Sequence, residues 1–164
     1  MNPGHFGDAS ERHRMVSFVL SLLLLQVTAP AVTVPPPPPG WTSAPLDANL
    51  IDHFTRAESD GTVGEIFVRR QVCDCQPDEM TDMLEHAVRQ FSGATITRDT
   101  LQVCGQKAYR LIATGLAAAP PRKNIVVVAF RSGDALVTQQ YAFSQPQPAA
   151  DAVTTLESLC PQAP

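Results

Sequence analysis

Ile125-Val126-Val127-Val128-Ala129-Phe130 runs into Arg131-Ser132-Gly133-Asp134. Residues 135–143 follow, where Leu136, Thr138 and Gln140 alternate with Val137, Gln139 and Tyr141. The first run is apolar at every position, as expected of a central strand covered on both faces. The second has the period of two that turns one side of a strand inward. A Gly-containing turn between two such runs predicts an antiparallel hairpin, and with it a sheet as the organising element.

Working back from this hairpin, residues 96–103 and 108–113 are two further β-branched runs, joined at Cys104-Gly105-Gln106-Lys107. Residues 51–57 and 65–72 read as two more strands, with Gly61-Thr62-Val63-Gly64 as turn material. In residues 77–91, Met80, Met83, Leu84, Ala87, Val88 and Phe91 recur at helical spacing, so this segment predicts an amphipathic helix. Pro77 suits a first helical turn, Asp78, Glu79 and Asp82 suit its positive end, and Gly93 suits a C-terminal cap. Glu85 and Arg89 are spaced to pair along it. Residues 117–122 form a small-residue loop, and Pro146 and Pro148 end the last strand. Ala149, Val153, Leu156, Leu159 and Cys160 mark a second, shorter helix stopped by Pro161. Strands, helix, antiparallel strands, helix is the order of an α+β fold: an antiparallel sheet with two amphipathic helices packed on it.

The chain has 164 residues, 44% of them hydrophobic and 17% charged, which suits one domain with appendages. Its net charge of −4 includes no basic stripe to displace counterions from phosphates, so nucleic acid is not an expected partner. Residues 1–14 are polar and end in Glu11-Arg12-His13-Arg14. Met15 to Val27 are nearly all apolar, and Thr28-Ala29-Pro30-Ala31 offers small residues for cleavage. These parts predict a secretory signal peptide over residues 1–31. The apolar run falls short of the ~20 residues a membrane anchor needs, so membrane contact is expected only in transit. Residues 32–40 carry five consecutive prolines and predict a stiff polyproline spacer, with the α+β domain over residues 41–164. The expected location is extracytoplasmic, periplasmic or secreted.

Gly40-Trp41 at the start of the domain, a strand leading into the helix at Met80 to Phe91, the meander from Ile96 to Phe143 and the closing helix to Cys160 together resemble the PsbP-like fold. The resemblance spans residues 40–161 and lies in the order of elements. It implies docking to another protein rather than catalysis, and it assigns no functional residue position by position. Cystatin-like and NTF2-like α+β folds are competing expectations.

Cys73, Cys75, Cys104 and Cys160 all lie in the expected mature domain. An even count in an exported domain predicts two disulfides, with three possible pairings. An extended Cys73-Asp74-Cys75 would hold its Cα atoms about 6.6 Å apart and send both sulfurs outward, to Cys104 and Cys160. A bend ahead of Pro77 would instead close Cys73–Cys75 and leave Cys104 to pair with Cys160. We favour the bent form, because Cys160 lies on the apolar stripe of the last helix and faces the sheet that carries Cys104. Both crossed pairings stay open at this stage. A Cys-x-Cys ahead of a helix also has the chemistry for thiol-disulfide exchange, or for a soft metal held with His86.

The sequence contains no nucleophile elbow, Gly-rich phosphate loop or His-Glu-x-x-His, and no cofactor is expected. His53 beside Asp52 is not a base oriented by a carboxylate, since neighbours on a strand point to opposite faces. The expected function is therefore a non-enzymatic binding or structural module, with a protein or a small apolar ligand as partner. Trp41, Arg122, Lys123 and Asp134 are the candidate surface, drawn from the start of the domain, the loop at 117–123 and the turn at 132–134. A carrier with an apolar pocket between helix and sheet, suggested by Met80, Met83 and Ala87, is the alternative.

Overall fold

The computed structural model describes residues 36–47 and 50–161, which fall within one compact unit. The expected signal peptide and the first part of the spacer, residues 32–35, lie outside the described residues. What is described of the spacer ends in a tight turn: Trp41 N–H donates to Pro38 O at 3.0 Å, and Gly40 takes φ +81°. Pro at the second position and a positive-φ glycine at the third are what a type II turn requires.

Nine elements and one short 3-10 turn follow. They are β1 (Thr42–Ser43), β2 (Leu50–Ala57), β3 (Val63–Val72), α1 (Pro77–Val88), β4 (Thr95–Val103), β5 (Gln106–Thr114), a turn at Leu116–Ala118, β6 (Asn124–Ser132), β7 (Ala135–Phe143) and α2 (Ala150–Ser158). The strands form one antiparallel sheet in the order β1-β2-β3-β7-β6-β5-β4. The β6–β7 hairpin lies inside the sheet, and β6 is buried at most positions. The α+β class is thus the observed one.

The helices sit on opposite faces, as the alternation along β6 requires. Val126, Val128 and Phe130 join Phe54, Ile66, Val68 and Tyr141 in a cluster with Ala152 and Leu156 of α2. Leu111 and Ala113 pack instead with Val88 of α1, with Ile125 and Leu84 against them. Each large apolar side chain removed from water here contributes roughly 1.5–3 kcal/mol. Arginines from the strands clamp both helices. Arg56 of β2 pairs with Asp151 at 2.6 Å, Arg110 of β5 with Glu157 at 2.5 Å, and Arg98 of β4 with Asp82 at 2.5 Å and Glu85 at 2.9 Å. The predicted Glu85–Arg89 pair is also formed. The two arginines beside Glu85, Arg89 foremost, hold its carboxyl below the usual range.

Several boundaries differ from expectation. Val63 and Gly64 belong to β3 rather than to a turn, because Gly64 must lie against the carboxylate of Glu58. A Cβ there would stand 2.1 Å from Glu58 Oε1. Helix α1 ends at Val88, and Gly93 serves a separate turn at Phe91–Ala94 instead of capping the helix. Its inward face is rotated from the apolar stripe: Thr81 and Val88 are buried, whereas Met83 is 61% exposed. Thr81 can be buried because its hydroxyl donates to Asp78 O and accepts from Arg98. In α2 the buried residues are Ala152 and Leu156, and Cys160 lies beyond the helix end.

Candidate functional site

On the α1 side, register decides which side chains meet. Arg69 pairs with Thr138 and Gln71 with Leu136 across β3 and β7, while Val127 pairs with Gln140 across β6 and β7. All six therefore share one face. Met80 and Leu84 of α1 overhang them, and the eight residues line a cleft of about 190 Å³. Its floor and roof are apolar (Val127, Leu136, Met80, Leu84) and its outer wall is polar. Arg69 is the one charged residue in the lining. Its guanidinium rests 5.7 Å from the ring centroid of Phe67, and among the described residues it enters no ion pair.

Helix α1 packs on β5 and β6, so among the described residues no helix lies over the face of β3 and β2 beyond the cleft. There His53 stacks on Phe67 at 4.6 Å between centroids, and its Nδ1 donates to Pro45 O at 2.9 Å. Asp52 points the other way, toward the α2 side, where it is 9% exposed and its Oδ1 has no hydrogen-bond partner among the described residues. Burial pushes its carboxyl pKa up. The pair is thus divided between the two faces, as alternation predicted.

At the end of the cleft, Arg131 lies in the same row as Leu136 and Gln71. It donates to Cys73 O at 2.5 Å, to Cys75 O at 3.2 Å and to Gly133 O at 3.3 Å. The loop it holds joins β3 to α1. The sulfurs of Cys73 and Cys75 are within disulfide distance there, with Cα atoms 5.2 Å apart. Cys104 and Cys160 form the second pair, at 5.5 Å between Cα atoms. The chain bends at Asp74, and both crossed pairings are excluded. Cys104 sits at the first position of a two-residue hairpin turn with φ +54°, followed by Gly105 at +74°.

The chain shares its fold with a solved structure from Pseudomonas aeruginosa, PA94, a protein of unknown function described as a putative regulator. The TM-score is 0.54 and the identity 16%, over 76% of this chain and 99% of that one. No protein-family model matches the chain. No curated protein matches it either.

The four candidate surface residues do not form one surface. Trp41 is 5% exposed, packed edge-on against Tyr141 with Arg56 over its ring, so it belongs to the core. Arg122 is exposed, stacked 4.3 Å above Phe91. Lys123 is held by Val63 O at 3.0 Å and Glu65 at 2.5 Å. Asp134 pairs with Arg70 at the opposite end of β6. The metal set of Cys73, Cys75 and His86 is not assembled either. The two sulfurs are paired with each other, and no group of three potential ligands occurs among the described residues. Of the pocket residues, Met80 lines the cleft, but Met83 and Ala87 face solvent. The residues missed were Arg69 and the polar wall of β7. The signal available was the alternation of Thr138 and Gln140, polar positions inside the most apolar hairpin of the chain.

Proposed function

We propose that the protein is an exported binding module that holds a small ligand, an apolar chain ending in an acidic group, in the cleft between α1 and the sheet. The single observation that carries this is the lining: apolar surface from Met80, Leu84, Val127 and Leu136 beside one guanidinium, Arg69, which among the described residues enters no ion pair. A desolvated carboxylate on Arg69 would gain a charge-assisted hydrogen bond, worth about 1.5–3 kcal/mol. A cleft of about 190 Å³ suits a short chain rather than a drug-sized ligand. Two cysteine pairs at disulfide distance support an oxidising, extracytoplasmic location, and export is part of the proposal. So is membership of the PsbP-like fold.

Calorimetry with octanoate, with octylamine as its cationic counterpart, tests the ligand class. Octanoate is expected to bind saturably and octylamine not to bind. Arg69→Gln is expected to weaken octanoate about tenfold, or about 1.4 kcal/mol. Equal binding of the two amphiphiles, or none of octanoate, would overturn the assignment.

A further inference from the structure

The two cysteine pairs do different things to the chain. Closing Cys104–Cys160 ties residues 56 apart and so removes much freedom from the unfolded chain. Closing Cys73–Cys75 spans a separation of 2, restrains almost nothing, and cannot serve as a staple. Linkage is reciprocal: a bond that stabilises the fold is protected from reduction by the fold to the same extent. The long pair is protected in this way and the short pair is not.

The surroundings of the short pair suit chemistry. It lies directly ahead of α1, so the positive end of the helix is on its side. Gln76 makes no side-chain cap there; its amide donates to Asp74 O, and the Glu79 N–H donates to Asp78 Oδ1. The Arg131 guanidinium is fixed on the carbonyls of both cysteines and, among the described residues, pairs with no carboxylate. Both features favour a thiolate. Asp74, Asp78 and Glu79, close by in the chain, act in the opposite direction.

We propose that Cys73–Cys75 is an exchangeable disulfide that oxidises dithiols on exported polypeptides, while Cys104–Cys160 is structural. A substrate thiol gives its proton to solvent, and its thiolate attacks Cys73 Sγ. An S–S bond forms between them, the Cys73–Cys75 bond breaks, and the electron pair leaves on Cys75 Sγ. The substrate's second thiolate then attacks the mixed disulfide at the substrate sulfur. The substrate leaves oxidised by two electrons, and Cys73 and Cys75 remain as the dithiol after protonation. A small-molecule disulfide such as oxidised glutathione restores the pair by the reverse steps. Arg131 acts as a positioning residue.

The oxidised full chain is treated with millimolar reduced glutathione, alkylated, and mapped by mass spectrometry. Alkylation at Cys73 and Cys75 with the Cys104–Cys160 peptide intact is expected, and simultaneous reduction of both pairs would overturn the proposal. In a second arm, the chain is mixed with a synthetic two-cysteine peptide in the reduced state. Oxidation at least tenfold faster than with the Cys73→Ser/Cys75→Ser double variant supports the exchange, and equal rates refute it. Arg131→Gln should shift the pH midpoint of Cys75 alkylation upward and Arg131→Lys should restore it. An unmoved pH profile would remove Arg131 from the proposal's chemistry and count against it. The glutathione measurement uses the unaltered chain and stands whether or not any variant folds.

Discussion

The α2 face and the α1 face are built from the same strands, residue by alternate residue, and they differ in nearly every respect. The α2 face is closed. Phe54, Ile66, Tyr141 and Phe130 are all but inaccessible under a helix clamped near both ends by arginines. A buried polar network runs through it: Tyr141 donates to Glu58 at 2.7 Å and Arg56 bridges Glu58 and Asp151. Burial, with the Glu58 carboxylate next in importance, drives the Tyr141 pKa far above the ordinary phenol range. On the α1 face the helix covers one half and leaves a cleft, Arg69 beside Phe67 and a stacked His53–Phe67 pair on the other. One side of the sheet stabilises the fold, which leaves the other free to bear groups that packing alone would not select.

The sharpest test of that division is truncation on either side. Phe130→Ala should cost about 3–5 kcal/mol in urea denaturation, and Leu84→Ala at the cleft only about 1 kcal/mol. Comparable losses would erase the distinction between the faces. Next in size, replacing Cys104 and Cys160 by serine should cost about 2–4 kcal/mol, while the same change at Cys73 and Cys75 should cost under about 1 kcal/mol.

Gly64→Ala should lose about 1–3 kcal/mol, because its Cβ would displace Glu58 from Tyr141. Since both changes break the same bond, the loss should shrink in a Tyr141→Phe background, and strict additivity would show that Gly64 acts otherwise. The smallest effect concerns Asp52. Its folded pKa is raised by burial, so the fold favours the protonated form. Any stabilisation from this is present below the unfolded pKa and lost as pH rises through the folded one. Asp52→Asn should therefore raise the urea midpoint at pH 7 and leave it nearly unchanged at pH 3.

Much of the fold was legible because alternation and helical periodicity are local signals. The β6–β7 hairpin, the strand at Glu65 to Val72 and both helices follow from them. The pairing Cys104–Cys160 was also favoured, although for a partly wrong reason: Cys160 lies past the helix, not on its stripe. What escaped depends on contacts between distant segments. Buried Thr81 is solvated by Arg98, seventeen residues on. Asn124 holds the turn at Leu116 with its side-chain oxygen and Gln145 O with its amide, so a polar residue sits fully inside. The cleft escaped for the same reason. Arg69 and Gln71 look like ordinary solvent-facing strand positions until register places them beside Thr138 and under Met80.

The chain has a single tryptophan, and Trp41 stands edge-on to Tyr141 beneath the Arg56 guanidinium. Its intrinsic fluorescence is consequently a native, label-free gauge of one side of the sheet. Loosening of the N-terminal strand or of the Arg56–Asp151 clamp should move the emission toward the red, while events in the cleft opposite pass unseen by it.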